Sequence, residues 1–388
     1  MTEDAGLAVA DVVAAASAAL GRPLSAPAGL PGGSDRSLLL RCSDPGCPDP
    51  GRSDPDGSVP AGGTVIVKTY PPTADGADSF AAEAAGLALA AGTGLAPELL
   101  AADPDLLVLV MSDLGTGASL ADLLLGDVTG DPAAAVLSWA RACGELSAAT
   151  AARVAEFAGL RARYARGGTG SAFPAFLPAS ILAVPQRAAA LGVAAPEGLG
   201  ADLAEVARAV QPGGFDVFSP GDLCPDNNLV TPAGVRLLDF EAAGIYSVFL
   251  DAAYIRMPFS TCWCVFRLPP RLSQEAEAAY RQLVCRAWPE LADDQVWTAG
   301  VRRGVAAWSM NSMGWLLSAA IRGDRPLDEE RTAPRTRQLM RHRWRVLLGE
   351  LDASGELPAL AELTRSLLAA TDGWRAHDLP LYPAFRDR

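Results

Sequence analysis

The chain has 388 residues, of which 50% are hydrophobic and 20% are charged, so it is long enough for two domains and a substantial core. Its formal net charge of −13 argues against general affinity for nucleic acid or anionic membranes, but it is compatible with a cationic small-molecule substrate. Acidic residues stand where a signal peptide would carry positive charge, and no apolar run reaches the length that a bilayer requires, so we expect a cytoplasmic protein.

The first part of the sequence predicts a helix followed by a small antiparallel sheet. The opening stretch, rich in alanine and valine, has the pattern of an amphipathic helix, and "SLLLRC" and "TVIVK" predict two paired strands. Between these strands, residues 43–62 are almost entirely Asp, Pro, Gly and Ser, which predicts a flexible insertion in the hairpin. "SFAAEAAGLALAAG" then predicts a helix that stops at glycine, and "LLVLVM" predicts a buried strand.

The remainder of the sequence predicts a mainly helical region. Helix-forming segments alternate with Pro and Gly breaks to about residue 210, and a small strand cluster follows around residues 215–241. Strands and one helix followed by a long helical part predict an α+β fold of two unequal lobes. We place the smaller lobe at residues 1–112 and the larger, helical lobe at residues 113–388.

Lys68, at the end of "TVIVK", is the one lysine of the chain. Lysine and arginine together number 32, so all the others are arginine. An ammonium is a compact point charge on a thin stem, whereas a guanidinium presents a wide planar fork. A chain that uses arginine everywhere else and lysine here predicts a site that needs the ammonium.

The densest polar cluster of the sequence is "FSPGDLCPDNNLV", which is followed by "VRLLDFEAAG". Asp222 and Asn227 fall on a short loop, and Asp239 falls at a strand end. Two carboxylates and an amide suit a hard cation such as Mg²⁺, which takes few protein ligands and leaves its other positions to phosphate and water. Cationic contacts to phosphates, a metal ion and a carboxylate that orients a hydroxyl are the parts that phosphoryl transfer needs.

These motifs resemble those of the aminoglycoside and choline type phosphotransferase family, which has a bilobal protein-kinase-like fold. The catalytic motif of that family is His-Gly-Asp with an asparagine five residues after the aspartate, and Asp222 is followed by Asn227 at that spacing. The family's second motif, Asp-Phe-Glu at a strand end, is matched from Asp239. The resemblance implies a small antiparallel-sheet N-lobe with one key helix, and a larger helical C-lobe that holds the catalytic loop, the metal site and the acceptor pocket.

The resemblance also covers the nucleotide site. Lys68 matches the strand lysine that contacts the nucleotide phosphates, and Glu83 matches the helix glutamate that holds this lysine in position. Asp251 resembles an aspartate that braces the catalytic loop from a following helix. The loop over the phosphates and the hinge whose backbone meets the adenine edge correspond to Gly32, Gly33, Ser34, Ser112 and Leu114.

The resemblance implies an enzyme that uses ATP or GTP, with Mg²⁺, to move the γ-phosphoryl group to a hydroxyl of a small molecule such as an antibiotic, an aminosugar or another metabolite. It implies that Asp222 accepts or orients the proton of that hydroxyl, and that Asn227 and Asp239 hold Mg²⁺. We expect no nucleic-acid or membrane partner, and a monomer or homodimer. Two alternatives stay open: a kinase of this fold that phosphorylates Ser or Thr of a peptide, and a nucleotide-binding pseudokinase with a regulatory role.

The motif departs from the family pattern at Pro220, which replaces the usual histidine. That histidine ties the catalytic loop with a hydrogen bond, which proline cannot supply, although the fixed φ of proline stiffens the loop. We expect the change to be tolerated. Asp226 and Asn228 are predicted to be turn residues, and Glu241 either touches a second metal ion or caps the next segment.

Seven cysteines are spread along the chain without the pattern of a disulfide framework. Cys42 with Cys47, and Cys262 with Cys264, lack the spacing of a zinc finger or zinc ribbon. We therefore expect free thiols that are buried as small apolar side chains. The surrounding "STCWCVFRLPP" is either core or a wall of the acceptor pocket.

An arginine-rich segment lies near the end of the chain. Arg337, Arg341 and Arg345 are spaced four residues apart, on one face of a predicted helix. We expect a solvated face that pairs with nearby acids such as Glu329 and Glu330, rather than a binding site for an anionic substrate or partner.

Overall fold

A computed structural model describes residues 8–30, 37–46, 63–166, 176–257, 259 and 261–386. These residues form two compact units. The first unit contains the described residues of Met1–Thr116, Ala155–Ala172 and Leu238–Gly244, and the second unit those of Gly117–Val154, Phe173–Leu237 and Ile245–Arg388. The first unit includes two later segments of the chain, so its residue ranges differ from those of the predicted smaller lobe. The assignment of residues 1–112 and 113–388 to two lobes stays a prediction.

The strands are β1 (Ser25–Gly29), β2 (Leu39–Ser43), β3 (Thr64–Thr69), β4 (Leu99–Asp103), β5 (Val108–Ser112), β6 (Asp216–Ser219), β7 (Asn228–Thr231), β8 (Gly234–Leu237) and β9 (Gly244–Ser247). The α-helices are α1 (Val9–Leu20), α2 (Ala74–Ala90), α3 (Leu120–Leu125), α4 (Pro132–Thr150), α5 (Phe157–Tyr164), α6 (Phe176–Leu182), α7 (Val184–Ala189), α8 (Leu199–Ala209), α9 (Val248–Arg256), α10 (Pro270–Val284), α11 (Asp294–Arg322), α12 (Thr336–Ser354) and α13 (Pro358–Ala370). Short 3₁₀ turns occur at Ala151–Glu156, Pro289–Ala292, Asp372–Trp374 and Pro383–Phe385.

The sheet of the first unit is antiparallel, with the strand order β1-β2-β3-β5-β4. The predicted hairpin is confirmed, since β2 pairs with β3 and Leu39 lies opposite Lys68. Val65 and Val67 are fully buried in a core that they share with α1. Because successive side chains of a strand point to opposite faces, Lys68 projects from the other face of the sheet.

The insertion predicted at residues 43–62 begins later than expected. Its residues 47–62 lie outside the described residues. Ser43 is the last residue of β2, and Asp44 is fully buried. Asp44 accepts hydrogen bonds from Nε and Nη2 of Arg22 at 2.8 and 2.6 Å, and this contact with Arg22 lowers the pKa of the Asp44 carboxyl. The polar composition of the segment gave no sign of this buried ion pair, whose partner comes from before β1.

Helix α2 carries Glu83 and lies against the segment that follows β8. It begins after Thr73, whose side chain accepts a hydrogen bond from the N–H of Gly76 at 3.1 Å and so caps the helix. At Gly86, a Cβ atom would lie 2.9 Å from the Cβ of Ala243 and 3.1 Å from Cδ1 of Phe240. Those distances are below normal packing contacts, so glycine allows this segment to sit close to the helix.

The second unit is mostly helical. α4 packs against α10, and α9 packs against α11, where a Cβ on Gly304 would lie 2.4 Å from the carbonyl oxygen of Phe249. The unit also contains the pairs β6 with β9 and β7 with β8. The predicted α+β class is confirmed: one unit holds a small antiparallel sheet with α2, and the other is largely helical. Within the described ranges, no helix combines the length and the apolar composition needed to cross a bilayer.

The expectation of a solvated arginine face on α12 that pairs with acids holds for Arg345, whose side chain is 38% exposed and donates to Oδ1 of Asp378 at 2.7 Å, but it is wrong for Arg341. Arg341 is only 7% exposed, and it donates to the carbonyl oxygen of Leu368 and to Oγ1 of Thr371, each at 2.7 Å. Arg337 donates to the carbonyl oxygen of Ala320 at 2.8 Å. Because α12 packs against both α11 and α13, Arg341 is enclosed, and Arg337 and Arg341 donate to backbone carbonyls rather than to Glu329 or Glu330.

Candidate active site

Lys68 stands at the centre of a buried ionic cluster in the first unit. Its side chain comes from the end of β3, and the residue is 6% exposed. Nζ lies 2.6 Å from Oε2 of Glu83 and 2.6 Å from Oδ1 of Asp239, and 3.8 Å from Oε2 of Glu241. The structure therefore brings together the strand lysine, the helix glutamate and the strand-end aspartate that the sequence singled out separately.

A tyrosine completes this cluster. The hydroxyl of Tyr70 donates to Oε2 of Glu83, and the ammonium of Lys68 lies 5.2 Å from the centroid of the Tyr70 ring. Sequence reasoning missed Tyr70, although its position two residues after Lys68 is the spacing of neighbours on one face of a strand. The tyrosine gives the buried glutamate a second partner besides the lysine.

The electrostatics of the cluster favour a charged lysine. Burial alone would lower the pKa of the Lys68 ammonium, but the negative charges of Glu83 and Asp239 outweigh burial and raise it. Burial raises the pKa of Glu83, an effect that the neighbouring ammonium opposes. A fixed positive charge with carboxylates on one side is suited to hold an anionic group.

Asp239 adopts the left-handed backbone conformation, with φ of +58°. Aspartate tolerates this region better than most residues, and such positions are common at functional sites. Phe240 and Ala243, which follow Asp239, pack against Gly86 and hold this turn against α2. The side chain of Asp239 is 31% exposed, so its carboxylate meets both the buried lysine and the surface of the first unit.

In the second unit, the loop between β6 and β7 holds Asp222 between two donors. Nδ2 of Asn227 donates to Oδ2 and to the carbonyl oxygen of Asp222, both at 3.2 Å. Oγ1 of Thr261 donates to Oδ1 of Asp222 at 3.1 Å, and the same Oγ1 lies 2.6 Å from the hydroxyl of Tyr254. Asp222 and Asn227, five residues apart, are thus brought together, and Thr261 is a contact that the sequence did not predict.

The start of this loop is tied down by Ser219. Its hydroxyl donates to Oδ1 of the buried Asp251 at 3.1 Å and accepts a hydrogen bond from the N–H of Gly221 at 3.2 Å. Gly221 has φ of +81°, a conformation that favours glycine. The kind of hydrogen bond that Pro220 cannot make is therefore made one residue earlier, by Ser219.

The buried Asp251 should give the stability of the protein a distinctive pH dependence. Burial raises the pKa of Asp251 from 3.8 to about 7. The folded chain thus holds this proton more tightly than the unfolded chain, so the contribution is complete below the ordinary carboxyl pKa and is lost as the pH rises through about 7. Replacing Asp251 by asparagine removes the titration, and we expect the variant to gain stability relative to wild type between about pH 5 and about pH 8.

Urea denaturation of wild type and the Asp251→Asn variant at the two pH values measures this effect. Asp127→Asn, on the exposed surface of the same unit, is the matched control and should follow wild type. Equal pH dependence of wild type and Asp251→Asn would contradict the assignment of a proton-binding role to Asp251.

Asp226 lies in a turn as predicted, but the same prediction for Asn228 is wrong, because Asn228 is the first residue of β7. Asn228 is 2% exposed, and its Oδ1 accepts a hydrogen bond from the N–H of Leu120 at 3.0 Å. Asp226 Oδ2 accepts from Nε1 of Trp263 at 2.7 Å. These bonds join the loop to α3 and to the cysteine-rich segment, respectively.

The remaining nucleotide-site residues stay predictions. Gly32, Gly33 and Ser34 lie outside the described residues. Ser112 ends β5, and its N–H donates to the carbonyl oxygen of Glu98 at 2.9 Å, while Leu114 lies beyond the strand. This hydrogen bond within the sheet occupies the Ser112 N–H, so that group is not free to bind the adenine edge.

Comparison with known proteins finds matches among solved structures but not among protein families or curated sequences. The sequence matches no protein-family model and no curated protein. The structure is similar to that of a choline kinase from Cryptosporidium parvum Iowa II, with 13% identity, a TM-score of 0.48, and coverage of 87% of this chain and 93% of that one. It is also similar to a macrolide 2′-phosphotransferase from Brachybacterium faecium, with 17% identity, a TM-score of 0.48, and coverage of 92% and 98%.

A third match is a choline/ethanolamine kinase family protein from Mesorhizobium loti, with 18% identity, a TM-score of 0.43, and coverage of 92% of this chain and 99% of that one. These are the kinds of protein that the motifs of the sequence resemble. Each match extends over most of both chains.

Proposed function

We propose that this protein is a phosphotransferase that moves the γ-phosphoryl group of ATP or GTP to a hydroxyl of a small molecule. The observation that carries the proposal is the buried ammonium of Lys68, which lies 2.6 Å from both Glu83 and Asp239. In kinases of the protein-kinase type, a strand lysine paired with a helix glutamate contacts the nucleotide phosphates, and a nearby aspartate holds the metal ion. The same three residue types meet here on β3, α2 and the segment after β8.

The donor groups fit Mg²⁺. Asp239 and Glu241 offer carboxylates that are 31% and 33% exposed, and Asn227 uses its amide nitrogen on Asp222, which directs its amide oxygen elsewhere. Oxygen donors of this kind are the ligands that Mg²⁺ prefers. We assign Asn227 and Asp239 as ligands. A magnesium ion held by them would spread the charge that develops on the transferring phosphoryl group.

The residues of the chain have separate tasks in this proposal. Lys68 binds phosphate oxygens, and Glu83 with Tyr70 keeps its ammonium in place. Asp222 orients the acceptor hydroxyl and accepts its proton, and the donors from Asn227 and Thr261 keep the carboxylate in one orientation. We assign Gly32, Gly33 and Ser34 to the loop over the phosphates, and the carbonyl group of Ser112 with the backbone of Leu114 to the adenine edge.

A screen of acceptors tests the proposal. The protein is incubated with ATP or GTP, Mg²⁺ and a panel of aminoglycosides, macrolides, aminosugars and choline-like alcohols, and nucleotide consumption is followed together with the mass of each acceptor. We expect acceptor-dependent turnover that adds one phosphoryl group. Turnover that phosphorylates only Ser or Thr of a peptide supports the peptide-kinase alternative, and nucleotide binding without turnover for any acceptor supports the pseudokinase.

A further inference from the structure

Three cysteines and an aspartate converge from two segments of the second unit. Cys224 and Asp226 come from the loop before β7, and Cys262 and Cys264 come from the segment after α9. The thiol sulfurs of Cys224 and Cys262 and a carboxylate oxygen of Asp226 all lie within 4.8 Å of one another. Sγ of Cys262 lies 3.8 Å from Oδ1 of Asp226 and 3.1 Å from Sγ of Cys264.

The mutual separations of Cys224, Asp226 and Cys262 fit three ligands around one metal ion, whereas the sulfur of Cys264 would have to move away from that of Cys262 to become a fourth ligand. Tetrahedral zinc with Zn–S bonds of about 2.3 Å places neighbouring sulfurs about 3.8 Å apart. A donor set of three thiols and one carboxylate favours a soft or borderline ion, whereas Mg²⁺ and Ca²⁺ prefer oxygen alone. We propose that Cys224, Asp226 and Cys262 bind Zn²⁺ as a structural site, with the neighbouring Cys264 as its fourth ligand.

The surroundings hold the ligand groups in place. Cys224, Cys262 and Cys264 are 5%, 2% and 0% exposed, which is typical of a closed structural site rather than an open catalytic one. Nε1 of Trp263 donates to Oδ2 of Asp226 at 2.7 Å, so Oδ1 faces the thiols. Such outer hydrogen bonds orient metal-binding carboxylates and are a regular part of zinc sites.

A buried arginine offsets part of the negative charge that the site would carry with zinc bound. Zn²⁺ binds cysteine in its thiolate form, so each thiol that becomes a ligand would release its proton on binding. Three thiolates and a carboxylate around Zn²⁺ leave a formal excess of two negative charges. The fully buried guanidinium of Arg343 interacts electrostatically with Cys224 and Cys262, and it offsets part of that excess.

The site would connect two segments that meet at the proposed catalytic loop. Thr261, which donates to Asp222, immediately precedes Cys262, and Cys224 follows Asp222 by two residues. A metal ion bound here would clamp the segment from 261 to 264 against the loop and hold the Thr261 donor in place. This consequence rests on the proposed function, whereas the zinc site itself does not.

Metal analysis of the purified full chain tests the site without any activity measurement. The protein is prepared with a thiol reductant, incubated with Zn²⁺, dialysed, and analysed for zinc by mass spectrometry. Co²⁺ is also titrated into metal-free protein, because thiolate ligands give cobalt a charge-transfer absorption. We expect one zinc ion per chain and a cobalt–thiolate band, both lost in Cys224→Ala and Cys262→Ala, and a weaker affinity for zinc in Asp226→Asn.

Cys143→Ala is the matched control, because Cys143 is buried in α4 outside the cluster and should leave the metal content unchanged. Circular dichroism checks that each variant is folded. If a variant is unfolded, the presence or absence of the cobalt–thiolate band in wild type tests the proposal instead. Folded, reduced wild type that binds no zinc would overturn the proposal, as would full zinc content in Cys224→Ala.

Discussion

Replacing Asp222 by alanine should abolish phosphoryl transfer while nucleotide affinity stays close to that of wild type. The carboxylate of Asp222 is held by donors from Asn227 and Thr261, which fix its orientation without using Lys68 or Glu83. Loss of a positioned general base lowers the rate by roughly 10²–10⁴-fold. Because the groups assigned to the phosphates are untouched, nucleotide binding should survive.

Steady-state turnover and nucleotide titration of Asp222→Ala separate the two effects. Asp127→Ala removes an exposed carboxylate from the same unit and should behave as wild type in both measurements. Full transfer activity in Asp222→Ala would remove this residue from the mechanism. A parallel loss of nucleotide affinity would indicate that Asp222 supports the nucleotide rather than the acceptor.

Lys68→Arg should impair catalysis severely although it keeps the positive charge. The ammonium occupies a space bounded by Glu83, Asp239 and the ring of Tyr70, and the residue is 6% exposed. The wider guanidinium would force these neighbours apart, and overpacking of this kind costs about 1–3 kcal/mol. Misplacement of a charge that stabilises the transition state lowers kcat/KM by roughly 10²–10³-fold.

Kinetics of Lys68→Arg and Lys68→Met distinguish the shape of the side chain from its charge. Both variants should lose activity, and Lys68→Met should also weaken nucleotide binding, because it removes the cation. Arg166→Lys is the control, since it exchanges the same two residue types at a side chain that is 56% exposed. A fully active Lys68→Arg variant would show that the single lysine of the chain has no special role.

The sequence predicted the parts of the site whose identity is set by local chemistry. Three features can be recognised in the sequence without a structure. They are the lone lysine, the Asp-x-x-x-x-Asn spacing of Asp222 with Asn227, and the strand-end Asp239. The hairpin of β2 and β3 and the pairing of Lys68 with Glu83 also followed from pattern and resemblance. These features depend on residue type and short spacing, which are properties of the sequence itself.

The contacts that sequence reasoning missed depend on packing between distant segments. Thr261 reaches Asp222 from 39 residues away, and the cysteines after it meet Cys224 only because the segment after α9 folds back onto the loop. Spacing within either segment alone argued against a metal site. The enclosed position of Arg341 likewise follows from how α12 packs against α11 and α13, and an arginine-rich helical face gives no warning of it.

We expect Pro220, which stands in place of the family's histidine, to have little effect on activity. Ser219 supplies a hydrogen bond to Asp251 and receives one from Gly221, so the start of the loop is anchored without a histidine. Lys68, Asp222, Asn227 and Asp239 are all retained. In the proposed enzyme, the donors from Asn227 and Thr261 keep the Asp222 carboxylate in the orientation that the acceptor needs.

The central proposal is that Asn227 and Asp239 are ligands of the metal ion that accompanies the nucleotide. Binding of Mn²⁺, a spectroscopic substitute for Mg²⁺, is measured by electron paramagnetic resonance with a non-hydrolysable ATP analogue present. We predict that Asn227→Ala and Asp239→Asn each weaken Mn²⁺ binding at least roughly tenfold, while Asp127→Asn binds as wild type. Wild-type Mn²⁺ affinity in either Asn227→Ala or Asp239→Asn would contradict the account.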